Sequence, residues 1–408
     1  MALSPEEMTD LFRAGIAAAD PRDAVFGSLA QDPVHVPATG KLFLLGLGKA
    51  ACTMTEAALS HLQPAAALVV TNYENARDVS GATVMPAGHP VPDENGLRAA
   101  CALEALLAQA TEMDRVLVLV SGGGSALLPA PVDGLSLSDK AEVSRLLLGA
   151  GLDIVQMNAV RQYLSRLKGG GLLRQAAPAP VTALILSDVI GDDLRAIASG
   201  PTVAPIMQRA EVIDMLRAQG LWDKLPLAAR TALERAQNTP TLPQAENRLI
   251  GSNRLSLDAM AQAAPQAYIA SDALVGDVAE AAERVVTLAQ GKTPQLALFG
   301  GETTVILRGD GRGGRNQELA LRVAMALQGQ PHWRFLSGGT DGRDGPTDAA
   351  GAIVDGGTID RIRAAGGDPE RLLANNDSHR ALELAGDLLI TGATGTNVAD
   401  LQILSLGA

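Results

Sequence analysis

Short apolar runs alternate along this chain with longer stretches in which apolar residues recur every three or four positions. In the first half, runs at 42–45, 68–70, 116–120 and 182–186 read as buried strands, and 94–109 and 154–174 carry the helical period. Ser4, Pro5 and Glu7 form a capping box with proline at the first helical position, which predicts an opening helix that stops near Asp20 and Pro21. A second set follows, with strand-like runs at 249–251, 267–270, 296–299, 304–307, 334–336, 353–354, 388–391 and 401–404. Helical patterns in this half lie at 277–289 and 316–327. Such alternation predicts an α/β fold with a mostly parallel sheet covered on both faces by helices. The polar, proline-bearing segment 237–246 (QNTPTLPQAE) is the expected linker, dividing the chain into domains at 1–240 and 245–408. Strands of both halves run into glycine-rich loops, so the active site is expected in a cleft between the domains.

The 408 residues exceed what one hydrophobic core usually serves, which also argues for two domains. Only 2% of residues are aromatic against 47% hydrophobic, so the core is built from Ala, Leu, Val and Ile. Net charge is −12 with no basic run, which disfavours nucleic acid and anionic membranes as partners. The two cysteines, Cys52 and Cys101, fall in helical stretches and read as buried spectators in a reducing compartment. The five histidines show no metal-ligand spacing. The start is acidic and helical rather than a basic, apolar leader, so a soluble cytoplasmic protein is expected.

Candidate chemistry lies in the loops. GLGKAA from Gly46 follows the first strand and opens a helix, as in the G-x-G-x-x-A dinucleotide fingerprint. Thr71 and Asn72 stand where that fingerprint wants an acidic residue, and Glu74 lies further on. Lys49 sits within the turn, where its ammonium would meet an anion. SGGGSALL follows a very apolar strand; Ser121, Gly122, Gly123, Gly124 and Ser125 read as a nucleotide- or phosphate-binding loop, with both hydroxyls donating to the anion. In MNAVRQYLSRLKGGGLL, Asn158, Arg161 and Ser165 share a predicted helix face, with Arg166 and Lys168 near its end. Asp188 ends the strand of LILSDVIGDD, where a carboxylate can serve as base or hold Mg²⁺. In the second half, GGETT supplies Glu302, and GGRNQE supplies Arg315 and Asn316. Arginine at a helix start opposes the helix dipole, a cost that makes sense if Arg315 faces an anion. SGGTDGRDGPTDAAG places Asp341, Asp344 and Asp348 among glycines without the EF-hand spacing, so a substrate or Mg²⁺–nucleotide contact is expected there.

Taken in order with ASGPT and TGTNVADL, these motifs resemble the class II glycerate 2-kinases, whose C-terminal domain is called MOFRL; some relatives carry the label hydroxypyruvate reductase. The likeness runs from about Lys41 to the end. It implies a Rossmann-like N-terminal domain and a smaller α/β MOFRL-type domain. It also implies ATP-dependent phosphorylation of D-glycerate at the 2-hydroxyl with Mg²⁺, and Lys49, Asp188 and Arg315 as the functional lysine, aspartate and arginine. Asn158, Arg161, Lys168, Glu302, Asn316 and Asp341 are expected to bind or support the substrate. D-glycerate and ATP are then the expected partners, and a homodimer is the assembly admitted. The nucleotide is assigned to the Ser121 loop and glycerate to Lys49 and Arg315. Two other classes compete: an NAD(P)H-dependent hydroxypyruvate reductase using the Gly46 turn, and a non-catalytic anion sensor.

Overall fold

The computed structural model describes residues 2–235, 241–291 and 295–407, which fold as two compact units. One comprises Pro21–Ser187 and Asp192–Ile250; the other comprises Met1–Asp20, Asp188–Gly191 and Gly251–Ala408. The expected domains, 1–240 and 245–408, differ from these units in the opening helix, the four-residue segment at Asp188 and residues 245–250, which belong to the unit of the first sheet. Residues 237–240 of the expected linker lie outside the described residues, and its end enters a strand at Ala245.

The sheet of the first unit contains β1 (Leu42–Leu47), β2 (Ala66–Asn72), β3 (Thr83–Ala87), β4 (Arg115–Val120), β5 (Val181–Leu186) and β6 (Ala245–Gly251). Their spatial order is β3-β2-β1-β4-β5-β6, and β1 through β5 pair in parallel. All six residues of β1 are buried, as a central parallel strand covered by helices on both faces requires. This is the doubly-wound order in which the chain reverses direction between β1 and β4. The strand β3 was not expected from the sequence. It is an edge strand with Pro86 inside it, and proline is tolerated only where no neighbour needs its missing N–H.

The other unit contains β7 (Ala267–Ser271), β8 (Gly276–Asp277), β9 (Gln295–Gly301), β10 (Thr303–Thr304), β11 (Trp333–Gly339), β12 (Gly351–Asp355), β13 (Leu388–Leu389) and β14 (Asp400–Leu406). Its main sheet is mixed: in the order β13-β12-β11-β14-β9-β7, only β7 and β9 are parallel. The strands expected at 304–307 and 388–391 shrink to two residues each.

Two helices also depart from expectation. The chain does not leave helix for good at Asp20: a second helix, Pro21–Gln31, begins there with proline in its first turn. The helix expected over 154–174 stops at Tyr163 and resumes only at Gly171–Ala176. Between them Ser165 bridges to Pro131, and Gly169 and Gly170 take positive φ. Cys52 is buried but Cys101 is exposed, and both are free thiols.

The capping box at Ser4 forms as expected. The helix it starts, Pro5–Ala17, turns Met8, Leu11 and Phe12 into a cluster with Leu257, Met260, Leu401 and Ile403. That burial is why the opening helix belongs to the unit of the C-terminal sheet. Phe12 is fully buried, so Phe12→Ala is expected to lower the unfolding free energy by ~3–5 kcal/mol, read from urea denaturation.

Candidate active site

The loops that leave β1 and β4 meet at the switch point of the first sheet, outside the carboxyl ends of the strands. Their approach is tight. Ser121 donates its hydroxyl to Leu47 O at 3.2 Å and accepts Ala50 N–H at 3.1 Å. Lys49 N–H donates to Gly122 O at 2.9 Å. Gly48 has φ +114°, and a Cβ there would collide with the Ser121 carbonyl. Gly46 is likewise closed, by Thr55 Oγ1. The first two glycines of the fingerprint are thus required by contact with the protein itself. Ser121 also has a different role from the one expected: its hydroxyl is buried and ties the two loops together.

The rest of the loop opens onto a cavity. Gly123 has φ +86°, and a Cβ placed on it would lie 3.3 Å from Lys49 Cε and 3.1 Å from the His89 ring. Lys49 therefore belongs with the Ser121 loop, where the sequence analysis had assigned them to different ligands. The cavity, about 400 Å³, is lined by Gly123, Ser125, His89, Lys140, Arg161 and Lys168 among others. Lys168 Nζ donates to Ser125 Oγ at 2.8 Å, and Ser125 shares a 2.8 Å hydrogen bond with Ser199, which reaches Asn158 Oδ1 at 3.5 Å. Ala198 and Ser199 both have positive φ, a strained pair for non-glycine residues, and this turn aims the Ser199 hydroxyl at Ser125. Gln162 holds it by donating to the carbonyls of Arg195 and Ser199. By contrast Arg166 is a structural ion pair with Glu104, at 2.7 Å.

The electrostatics of this cavity are one-sided. Burial pushes Lys168 down to about 7, and the neighbouring Arg161 pushes in the same direction. Burial holds Lys140 well below the ordinary lysine range, helped by Lys168, Arg161 and Arg166. Burial and the neighbouring Lys49 hold the His89 imidazole below its ordinary range. Sequence reasoning missed Lys140, His89 and Ser199. Lys140 lies in an ordinary amphipathic helix and His89 in no motif, whereas ASGPT had marked the Ser199 loop.

The other unit carries an acidic group around Arg315. This arginine makes a two-pronged ion pair with Asp400, Nε to Oδ2 at 2.6 Å and the second nitrogen to Oδ1 at 2.9 Å, and a third contact to Glu302 at 3.2 Å. Burial disfavours its charge, but Asp400 and Glu302 more than offset that and hold the guanidinium above its ordinary range. Partial burial pushes the Glu302 carboxyl up; Arg315 holds it down, while Asp400, Asp188 and Asp341 push it up further. The anion faced by Arg315 thus includes the chain's own Asp400, which is fully buried. Asp344 is structural as well. Its oxygens accept the N–H groups of Asn316 at 3.1 Å and Gln317 at 2.8 Å, capping the helix Arg315–Ala326 from a distant loop. Burial pushes it up to about 6 against those bonds. Asn316, expected at the substrate, is buried and accepts from Ser337 at 2.6 Å. Arg315→Ala would leave the buried Asp400 without its cationic partner, which costs stability.

Residues 7–234 match a domain of unknown function, DUF4147, and 295–400 match the MOFRL family. A glycerate 2-kinase of Pyrococcus horikoshii is 38% identical, covering 95% of this chain and 94% of its own. A protein of Agrobacterium vitis provisionally named hydroxypyruvate reductase is 39% identical, covering 97% and 93%. The crystal structure of a glycerate kinase from Thermotoga maritima superposes with a TM-score of 0.91 at 38% identity, covering 99% of this chain and all of that one.

Lys168 gives a test of the cavity's electrostatics. Its folded pKa lies below that of an exposed lysine, so between pH 7 and about 10.5 the unfolded chain binds the extra proton. Its cost to folding is full below pH 7 and fades as pH rises to about 10.5. Urea unfolding of Lys168→Met should therefore show its largest stability gain over the wild type at pH 6 and the smallest near pH 10. A pH-independent difference would remove the buried charge from the account. With DUF4147 followed by MOFRL and relatives matched over nearly their full length, the chain belongs to the glycerate kinase family.

Proposed function

We propose that the protein transfers the terminal phosphoryl group of ATP to the 2-hydroxyl of D-glycerate, releasing 2-phosphoglycerate and ADP. The observation that carries this reading is the cation-lined cavity at the switch point of the first sheet, in a chain of the glycerate kinase family. Phosphoryl transfer asks a protein chiefly to position the reactants and to offset charge on the moving group. Lys49, Arg161 and Lys168 supply that charge, and the backbone of Gly122, Gly123 and Gly124 lets a phosphate approach closely. Asp188 orients the 2-hydroxyl and takes its proton. Arg315 spends two N–H bonds on Asp400 and pairs electrostatically with Glu302, which leaves N–H groups for a substrate oxygen.

Mg²⁺ is expected with the nucleotide. Among the described residues no three His, Cys, Asp or Glu side chains are grouped as a metal site. Mg²⁺ needs only one or two carboxylates when phosphates and water complete its shell. Asp188, Glu302 and Asp341 fit that donor chemistry, since Glu302 already feels both aspartates as repulsive neighbours. One or two of these carboxylates would hold the ion, which would supply positive charge to offset the phosphates.

The reductase reading rests on the Gly46 turn and on the name of one relative. The turn's first two glycines are accounted for by Thr55 and Ser121, which leaves the turn without a special claim on a nicotinamide cofactor. The decisive assay supplies D-glycerate, ATP and Mg²⁺ with an enolase-coupled readout, beside hydroxypyruvate with NADH and NADPH. Signal in the first and none in the second is expected; oxidation of NADH or NADPH alone would overturn the kinase. Lys49→Ala should lose ~10³–10⁵ in rate while its melting temperature stays near the wild type, because Lys49 touches the loop only through its backbone and stem. Near-normal turnover would take Lys49 out of the chemistry.

A further inference from the structure

The cavity holds more positive charge than the motif residues account for. Lys140, from the helix Leu137–Gly149, directs its ammonium to Pro129 O at the cavity wall, beside Arg161 and Lys168. Among the described residues no Asp or Glu lines this space, and Arg161 has no hydrogen-bond or ion-pair partner there. Lys140 spends one of three donors on Pro129, and Lys168, 6% exposed, spends one on Ser125. Gathering three cations out of water without a counter-charge costs folding free energy. A polyanion with two or more charges offsets that cost.

Size and shape narrow the ligand. A three-carbon acid would fill only a small part of 400 Å³. Val91, Pro92, Leu137 and Ala141 line the same space as an apolar wall, suited to a flat organic group carried on the anion. We propose that Lys140 is a phosphate-binding residue which, with Arg161 and Lys168, forms a three-cation cradle for the polyphosphate of a nucleoside di- or triphosphate. This rests on the kinase reading for its role in turnover, but not for the binding itself.

The test uses the full chain with Lys140→Met and Lys140→Arg. Calorimetric titration with inorganic pyrophosphate and with ADP measures binding without turnover, and scanning calorimetry gives the melting temperature. Lys140→Met should bind both ligands about 10–100-fold more weakly, the loss of one charge-assisted hydrogen bond, yet melt higher than the wild type. Lys140→Arg should restore most of the affinity. In steady state the KM for ATP should rise in Lys140→Met and that for D-glycerate should not. A lower melting temperature with unchanged pyrophosphate and ADP affinity would make Lys140 a structural link to Pro129 and overturn the proposal. A rise confined to the KM for D-glycerate would overturn it too. A wild type that binds ADP and pyrophosphate but does not phosphorylate glycerate would sink the kinase reading and leave the cradle standing.

Discussion

The first unit is organised by the close approach of two loops at the place where its sheet changes direction. Parallel strands β1 and β4 must pair along their whole length, so the chain leaving each has room for almost no side chain where they part. Gly48 answers that on one side, and Ser121 fastens the other by bonding to both Leu47 and Ala50. Once the loops are locked, the Lys49 stem rests over Gly123, and the backbone beyond Gly122 turns towards the cavity. The position of Lys49 therefore follows from strand pairing and one buried hydroxyl.

Charge is then sorted by unit. The chain as a whole is acidic, yet its first-unit cavity collects Lys140, Arg161 and Lys168 without a carboxylate among the lining residues described. The other unit does the reverse, grouping Asp341, Asp188 and Asp400 near Glu302, with Arg315 paired to Asp400 and Glu302. Neither arrangement is what folding alone would favour, because like charges raise the cost of burial. Chemistry that handles anionic phosphates, a hydroxyl proton and a hard cation needs both kinds of environment, which is why the kinase reading explains the segregation and an anion sensor explains only half of it.

Much of the fold was legible because buried parallel strands are apolar without alternation and announce themselves. The edge strand β3, diluted by Pro86, and the break after Tyr163 were not, since both depend on which neighbours lie beside them. The same distinction runs through the site. Glycine runs and strand-end aspartates mark loops by local chemistry, so the loops bearing Lys49, Ser125 and Asp188 could be picked out. Lys140 and His89 carry no local mark; a helix 15 residues beyond the Ser125 loop and a turn 36 residues before it had to fold against one cavity first.

The motif residues that changed meaning share a cause. Ser121, Asn316 and Asp344 looked like ligand contacts because they are polar residues among glycines at strand ends. Each proved to satisfy a backbone or side-chain group of the chain instead: Leu47 and Ala50 for Ser121, Ser337 for Asn316, the first turn of a helix for Asp344. Glycine-rich loops expose their own N–H and C=O groups as readily as they offer them to a phosphate, so such a loop must bring polar side chains to cap itself. Arg315 sits between the two cases. Its pairing with Asp400 fixes the guanidinium plane, and the N–H bonds left over can then meet a substrate without the entropy loss of ordering a free side chain. Structural pairing and the orientation of the guanidinium are in this residue the same set of bonds.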